Sequence, residues 1–212
     1  MPNLIIKAYV LGFIGTNTYL CYDKESKEAI IIDPADESKT LLKDIETNAL
    51  KTKLIALTHG HWDHTGGVNY FKESLSCPVA CHEKELPFIM DKGMNLSALL
   101  GMGSRIDKPT ILLKESEPIT LGQERLEIIH TPGHTKGSVL LLSHDNSFLF
   151  TGDTIFSDGI GRTDLPGGNE EELLASISEH ILILDNSLIF YPGHGPSDRI
   201  GNFKNWFKSY LS

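Results

Sequence analysis

The sequence predicts a layered α/β fold with sheets inside and helices outside. Two observations carry that expectation. Short apolar runs of strand length alternate with longer segments whose apolar residues recur at helical spacing, and each half of the chain runs from strands into a helix. The chain has 212 residues, 40% of them hydrophobic, which suits a single domain, residues 1–212, with a sizeable core.

In chain order, Leu4–Val10 and Tyr19–Tyr22 read as strands around a turn at Gly12 and Gly15, and Ala29–Asp33 as a short buried strand stopped by Pro34. A helix is expected over Asp36–Ala49, with Leu41, Leu42, Ile45 and Leu50 as its apolar stripe. Lys53–Leu57 is the next strand, followed by a helix over Thr65–Leu75 and a strand over Pro78–His82. Between Glu83 and Ile106 the spacing is mixed. Leu86, Phe88, Ile89, Met90, Leu96, Leu99, Leu100 and Met102 anchor a helical or irregular segment there, with the methionines as gap-fillers. The second half is richer in short strands: Ile119–Leu121, Arg125–His130, Val139–Leu142 and Phe148–Thr151, the last two joined by a hairpin turn at His144–Ser147. A helix over Glu170–Ile181 opens on acidic residues, Ile189–Tyr191 is a last strand, and Phe203–Leu211 is a helix with its aromatic residues on one face.

Composition narrows the function. No apolar run approaches the ~20 residues of a membrane-spanning helix, and the opening residues lack the basic and apolar segments of a secretory signal. A formal charge of -9 argues against nucleic acid or an anionic membrane as the main partner. Cys21, Cys77 and Cys81 cannot all pair with one another, which suits thiols buried as small apolar groups in a reducing cytoplasm.

The chemistry concentrates in Thr58-His59-Gly60-His61-Trp62-Asp63-His64-Thr65-Gly66-Gly67. Imidazoles and carboxylates at this density are ligands for zinc or iron. His59 and His61, two apart where a strand gives way to a loop, can face one ion. Asp63 and His64 fall at or just before the start of a helix, whose positive end is expected to keep His64 neutral. Gly60, Gly66 and Gly67 are expected to let the backbone approach an ion. Three later loops repeat one pattern, in which a strand ends, a Gly or Pro turn follows and a coordinating side chain appears: His134, Asp153 and His194. Five histidines and two aspartates exceed one tetrahedral site and suit two ions that share a carboxylate and a hydroxide. His82, His130, His144 and His180 receive no role, although His130 is expected near the site.

Together these residues resemble the metallo-β-lactamase superfamily, whose His-x-His-x-Asp-His hallmark is met by His59, His61, Asp63 and His64, with His134, Asp153 and His194 as the later landmarks. The resemblance implies a four-layer αβ/βα sandwich. It implies one ion on His59, His61 and His134, a second on Asp63, His64 and His194, and Asp153 bridging both. The stretches Thr131–Thr135, Thr151–Phe156 and Gly161-Arg162-Thr163-Asp164 look like the glyoxalase II branch, and chain length fits its short, single-domain YcbL-like hydrolases. The C-terminal helical domain of full-length glyoxalase II is not expected here. Its Gly-Lys-Phe-Tyr-Glu-Gly segment is replaced by the run from Gly161 to Gly168.

The implied activity is hydrolysis of a small-molecule thioester such as S-D-lactoylglutathione, by a hydroxide held between two divalent ions, zinc before iron or manganese. Asp63 and Asp153 are the expected catalytic carboxylates. Arg162 either binds a substrate carboxylate or pairs with Asp164 to brace its loop. The rival from another class is a mononuclear iron persulfide dioxygenase acting on glutathione persulfide through His59, His134 and Asp153. A lactone or phosphodiester hydrolase on the same metal pair ranks below both.

Overall fold

The protein's structure, a computed structural model, describes residues 3–100 and 106–211. Met102 lies outside the described residues, as do the side chains of Leu99 and Leu100. Strands β1 (Leu4–Leu11), β2 (Thr16–Asp23) and β3 (Glu28–Ile32) form an antiparallel meander. Helix α1 (Lys39–Thr47) then leads to β4 (Lys51–Ala56). Helices α2 (Trp62–Thr65) and α3 (Val68–Leu75) precede β5 (Val79–His82), and α4 (Leu86–Met90) precedes β6 (Ile111–Leu113). These six strands make one sheet in chain order, parallel from β3 onward.

The second sheet is built from β7 (Ile119–Leu121), β8 (Glu124–His130), β9 (Val139–Ser143), β10 (Phe148–Gly152), β13 (Ile189–Pro192) and β14 (Asp198–Arg199), in the order β14-β13-β10-β9-β8-β7. A small hairpin, β11 (Ile155–Phe156) and β12 (Gly159–Ile160), stands apart from both sheets. Helix α5 (Glu170–Ser176), continued by a π-helical turn over Ile177–Ile181, and helix α6 (Ile200–Tyr210) complete the chain.

The alternation of strand side chains makes the layers. Ile30 and Ile32 face the second sheet and join Leu126, Ile128, Leu141 and Phe150 in the central core. Ile31 faces the other way, into a cluster with Leu41 and Ile45 of α1 and Val68 and Phe71 of α3. On the outer face of the second sheet, Leu140 and Leu142 pack against Leu173 of α5 and Phe203 and Phe207 of α6. Each such side chain contributes about 1.5–3 kcal/mol relative to exposure. Three apolar clusters between two helical and two sheet layers give the αβ/βα sandwich. The three cysteines are free and buried within it.

Several expected boundaries shift for local reasons. Helix α1 starts at Lys39 rather than Asp36 because the Ser38 side chain accepts from Leu41 N at 3.2 Å and caps it. The helix expected over Thr65–Leu75 is two helices with a break at Gly66–Gly67. There the 35–36 backbone presses so close that a Cβ on either glycine would meet a carbonyl oxygen at 2.4 Å. Strands β6, β11, β12 and β14 carry two or three residues each, too few for a periodic pattern. Among the described residues no helix is long and apolar enough to cross a membrane.

Candidate metal centre

Strand direction brings the functional loops together. Because β3 and β4 run parallel, Asp33 and Thr58 leave the first sheet at the same end. Because β10 and β13 run parallel, with Gly152 opposite Pro192, Asp153 and His194 leave the second sheet side by side. His134 follows β8 on the same edge. Three compact groups result, each with its ligand atoms within 4.8 Å of one another: His59, His61 and His134; Asp63, His64 and His194; and Asp33 with His59 and His64, which joins the first two from behind through side chains they already contain. Asp153 lies between the first two, Oδ1 3.3 Å from His64 Nε2 and Oδ2 3.6 Å from both His134 Nε2 and His194 Nε2.

Surrounding acceptors set which ring nitrogen faces inward. His134 Nδ1 donates to the Arg162 carbonyl at 2.8 Å, His64 Nδ1 to Asp33 Oδ2 at 3.0 Å, and His59 Nδ1 to Thr58 Oγ1 at 3.2 Å. The Thr58 hydroxyl is free to accept because its own proton goes to Asp33 Oδ2. Each ring is thereby left with Nε2 aimed at the shared space. The second group is braced by Thr16, whose hydroxyl donates to Asp63 Oδ2 at 3.1 Å, the same oxygen that His194 Nε2 reaches at 3.1 Å.

These residues fit divalent cations. The Nε2 atoms of His59, His61 and His64 and Oδ1 of Asp153 are buried without a hydrogen-bond partner. Such atoms are costly to bury unless something binds them. His134 Nε2 and His61 Nδ1 lie 3.0 Å apart, so a proton or a cation must separate them. Burial, reinforced by the neighbouring imidazoles, holds His59 well below its ordinary pKa and takes His61 down to about 3; burial also lowers His134. These rings are therefore neutral donors. For both Asp63 and Asp153 burial opposes ionisation, but His64 and His194 outweigh it and keep the carboxylates charged.

Two expectations are corrected here. A helix terminus does not set the charge of His64: with no ion bound, burial pulls its pKa down, but Asp153, Asp63 and Asp33 together hold it well above the ordinary value, and an ion at Nε2 would take the place of that proton. It lies inside the one-turn helix α2, whose dipole is weak against three carboxylates. Nor do Gly60, Gly66 and Gly67 face the centre. Gly60 packs on Glu85 and Phe88, and the other two on residues 34–36. The glycines that make room are Gly193, against Asp153 and His64, and Gly161, against His134.

The centre forms part of the floor of a pocket of about 580 Å³, with Ile14, Trp62, Leu96, Phe156, Ile160 and Leu165 as apolar walls. Arg162 stands on its rim, bound through Nε and Nη2 to the two oxygens of Asp164 at 2.7 and 2.8 Å. His130 stays out of the cluster, stacked on His82 with ring centroids 4.2 Å apart. Sequence reading passed over Asp33, Thr16, Thr58 and Glu85. Asp33 did carry a signal close to the one that found His134 and Asp153, a coordinating side chain where a strand meets a Gly or Pro turn.

A family model for the metallo-beta-lactamase superfamily matches residues 11–194. The chain belongs to the metallo-β-lactamase superfamily. It is 35% identical over 196 residues to the hydroxyacylglutathione hydrolase GloC of Haemophilus influenzae, covering 89% of each chain. The crystal structure of the B3 metallo-beta-lactamase BLEG-1 matches with a TM-score of 0.88 at 37% identity, covering 95% of this chain and 97% of that one. TTHA1623, solved in a di-iron-bound form, matches with a TM-score of 0.79 at 32% identity, covering 93% of this chain and 96% of that one. Other relatives at 33–36% identity are named only as uncharacterized proteins or probable metallo-hydrolases. As a metallo-β-lactamase superfamily member, this protein is a metal-dependent hydrolase.

Proposed function

We propose that this metallo-hydrolase uses two divalent ions to hydrolyse small-molecule acyl thioesters, as a short member of the glyoxalase II branch. The observation that carries the reading is the pair of ligand groups, with Asp153 between them, at the floor of an apolar-walled pocket. His59, His61 and His134 would hold one ion and Asp63, His64 and His194 the other, with Asp153 placed to serve both. When bound, such ions lower the pKa of water from 15.7 to about 7 and polarise a carbonyl oxygen. TTHA1623, with two irons, supports a binuclear centre and leaves iron or manganese open beside zinc.

The chain's own groups favour a thioester over an amide. Asp63 and Asp153 are both held ionised, so neither carries a proton for a leaving amine until an attacking water has given one up. Asp63 is placed to take the proton of an attacking water. No lysine, tyrosine or cysteine lines the pocket among the described residues. A thiol, with an ordinary pKa near ~8.5, leaves as its anion without a proton, whereas an amine needs one. The apolar walls offer an acyl chain a surface to pack on. GloC, named for hydroxyacylglutathione hydrolysis, supports the same substrate class.

A second reading, cyclic-amide hydrolysis, is favoured by the likeness to BLEG-1. A panel of thioesters beginning with S-D-lactoylglutathione, run beside the β-lactam nitrocefin on protein of measured metal content, separates the two. The expected result is two ions per chain and thioester turnover that stops when the metal is removed. Turnover of nitrocefin alone would favour the lactamase reading. One iron per chain with oxygen consumption on glutathione persulfide would replace hydrolysis with dioxygenation.

A further inference from the structure

Outside the ligand set, one carboxyl is completely buried and touches both loops of the first histidine group. Glu85 ends the 3-10 turn Glu83–Glu85 after β5 and has no exposed surface. Its Oε1 accepts from Thr135 Oγ1 and from Gly137 N, each at 2.6 Å, one and three residues beyond His134. Its Oε2 rests against Gly60, the residue between His59 and His61, where an added Cβ would lie 2.8 Å from that oxygen. On the other side, a Cβ at Gly137 would lie 2.7 Å from Glu85 N. Burial raises the carboxyl, while Thr135, Gly137 and Gly60 pull it back; even so, Oε2 makes no well-formed hydrogen bond. Leaving that buried oxygen without a full partner costs stability, which the two bonds to Oε1 only partly offset.

The two loops it touches come from different sheets. Residues 57–61 extend β4, and residues 131–138 link β8 to β9. Thr58 O accepts from Val139 N, but that contact lies at the strand ends, away from Gly60 and Thr135. We propose that Glu85 is a positioning residue that sets the separation of the His59–His61 loop from the His134 loop, and so tunes one ion site of the pair. The proposal rests on the metal reading above. The other ligand group is braced by different contacts, Thr16 on Asp63 and Asp33 on His64, so Glu85 acts on one group and spares the other.

The test is a cobalt(II) titration of the full-length, metal-stripped chain. Binding is followed by visible absorption with chelator competition, and the melting temperature of each metal-free protein is measured beside it. Wild type is compared with Glu85→Ala, Glu85→Gln and Thr135→Val. Wild type takes up two ions. Glu85→Ala and Thr135→Val weaken one binding step by about tenfold or more and leave the other within about threefold, while Glu85→Gln, which keeps an acceptor oxygen, stays near wild type. If Glu85→Ala does not fold, Thr135→Val decides, since it removes one donor and leaves the carboxyl in place. A drop in melting temperature with both affinities unchanged, or equal weakening of both steps, overturns the proposal. If wild type itself takes up no pair of ions, the metal reading fails and this proposal with it. If wild type binds the pair and the variants match it, only the role of Glu85 fails.

Discussion

Replacing Gly193 by alanine should disable the centre by crowding alone. A Cβ there would lie 2.1 Å from Asp153 Oδ1 and 2.5 Å from His64 Cε1. Carbon–oxygen contacts relax only beyond about 3 Å, so an atom must move by roughly 1 Å. The backbone cannot supply that movement: Gly193 N donates to Gly152 O at 2.8 Å, and Gly193 O accepts from Asn17 N at 2.7 Å. His64 is tethered through Nδ1 to Asp33, so the strain falls on the Asp153 carboxylate and the His64 ring. A misplacement of about 1 Å costs on the order of 100-fold in rate. The assay is metal content together with kcat/KM on the best thioester of the panel. The matched control is Gly195→Ala, where φ is +75° and no atom lies within 4 Å of the added Cβ. It should lose about 1 kcal/mol of stability to the left-handed backbone and keep its metal. If Gly193→Ala retained both ions and a kcat/KM within about threefold of wild type, the close packing around Asp153 would have no functional weight.

Four further outcomes follow from the same contacts. Asp153→Ala should abolish turnover and lower metal content while circular dichroism stays native; activity at the wild-type level would remove Asp153 from the centre. Asp33→Ala strands Thr58 N, Thr58 Oγ1 and His64 Nδ1, all buried, and at about 1–3 kcal/mol per unsatisfied group it should lower the urea midpoint sharply; an unchanged midpoint would contradict the network. Arg162→Ala should change KM by less than about threefold, because the guanidinium is committed to Asp164 at the surface, and a tenfold rise would make it a substrate ligand instead. Burial, against the pull of Thr135 and Gly137, raises the Glu85 carboxyl from 4.5 to about 7, so the folded chain keeps a proton that the unfolded chain has lost. The stability this group contributes is complete below pH about 4.5 and is lost as pH rises through about 7; metal-free Glu85→Gln should therefore show a flatter melting profile across that window, and a slope equal to wild type would refute it.

What the sequence made legible depended on whether the cause was local. Five of the seven proposed ligands, His59, His61, His134, Asp153 and His194, stand in loops beside a Gly, with Asp63 and His64 in the helical turn just after the first pair, and imidazole and carboxylate are the few side chains that serve this chemistry, so type and position sufficed. The layers followed as simply, because Ile30, Ile31 and Ile32 must face alternate sides of a strand. The break at Gly66–Gly67 was hidden because its cause, the backbone at residues 35–36, lies some thirty residues away in the chain. What sets the charge of His64 in the ion-free chain was hidden for a similar reason: a helix start is visible locally, whereas Asp33 and Asp153 come from other strands. Glu85 was hidden most completely, since Glu83-Lys84-Glu85 opens a segment of mixed spacing and burial of its last member is a tertiary fact.

The same distinction separates reaction from substrate. The groups that bind ions are chemically restricted and announce themselves, but the walls that select a substrate are not. Ile14 comes from the first hairpin, Trp62 from within the early cluster, Leu96 from the segment after α4, and Phe156, Ile160 and Leu165 follow Asp153. These are ordinary apolar residues at no fixed spacing, and each could as well be core. A change among them alters the shape offered to an acyl group or thiol carrier while leaving every ligand in place. Relatives that share the centre can therefore differ in substrate, and the identity that assigns this chain to its superfamily does not by itself select the thioester.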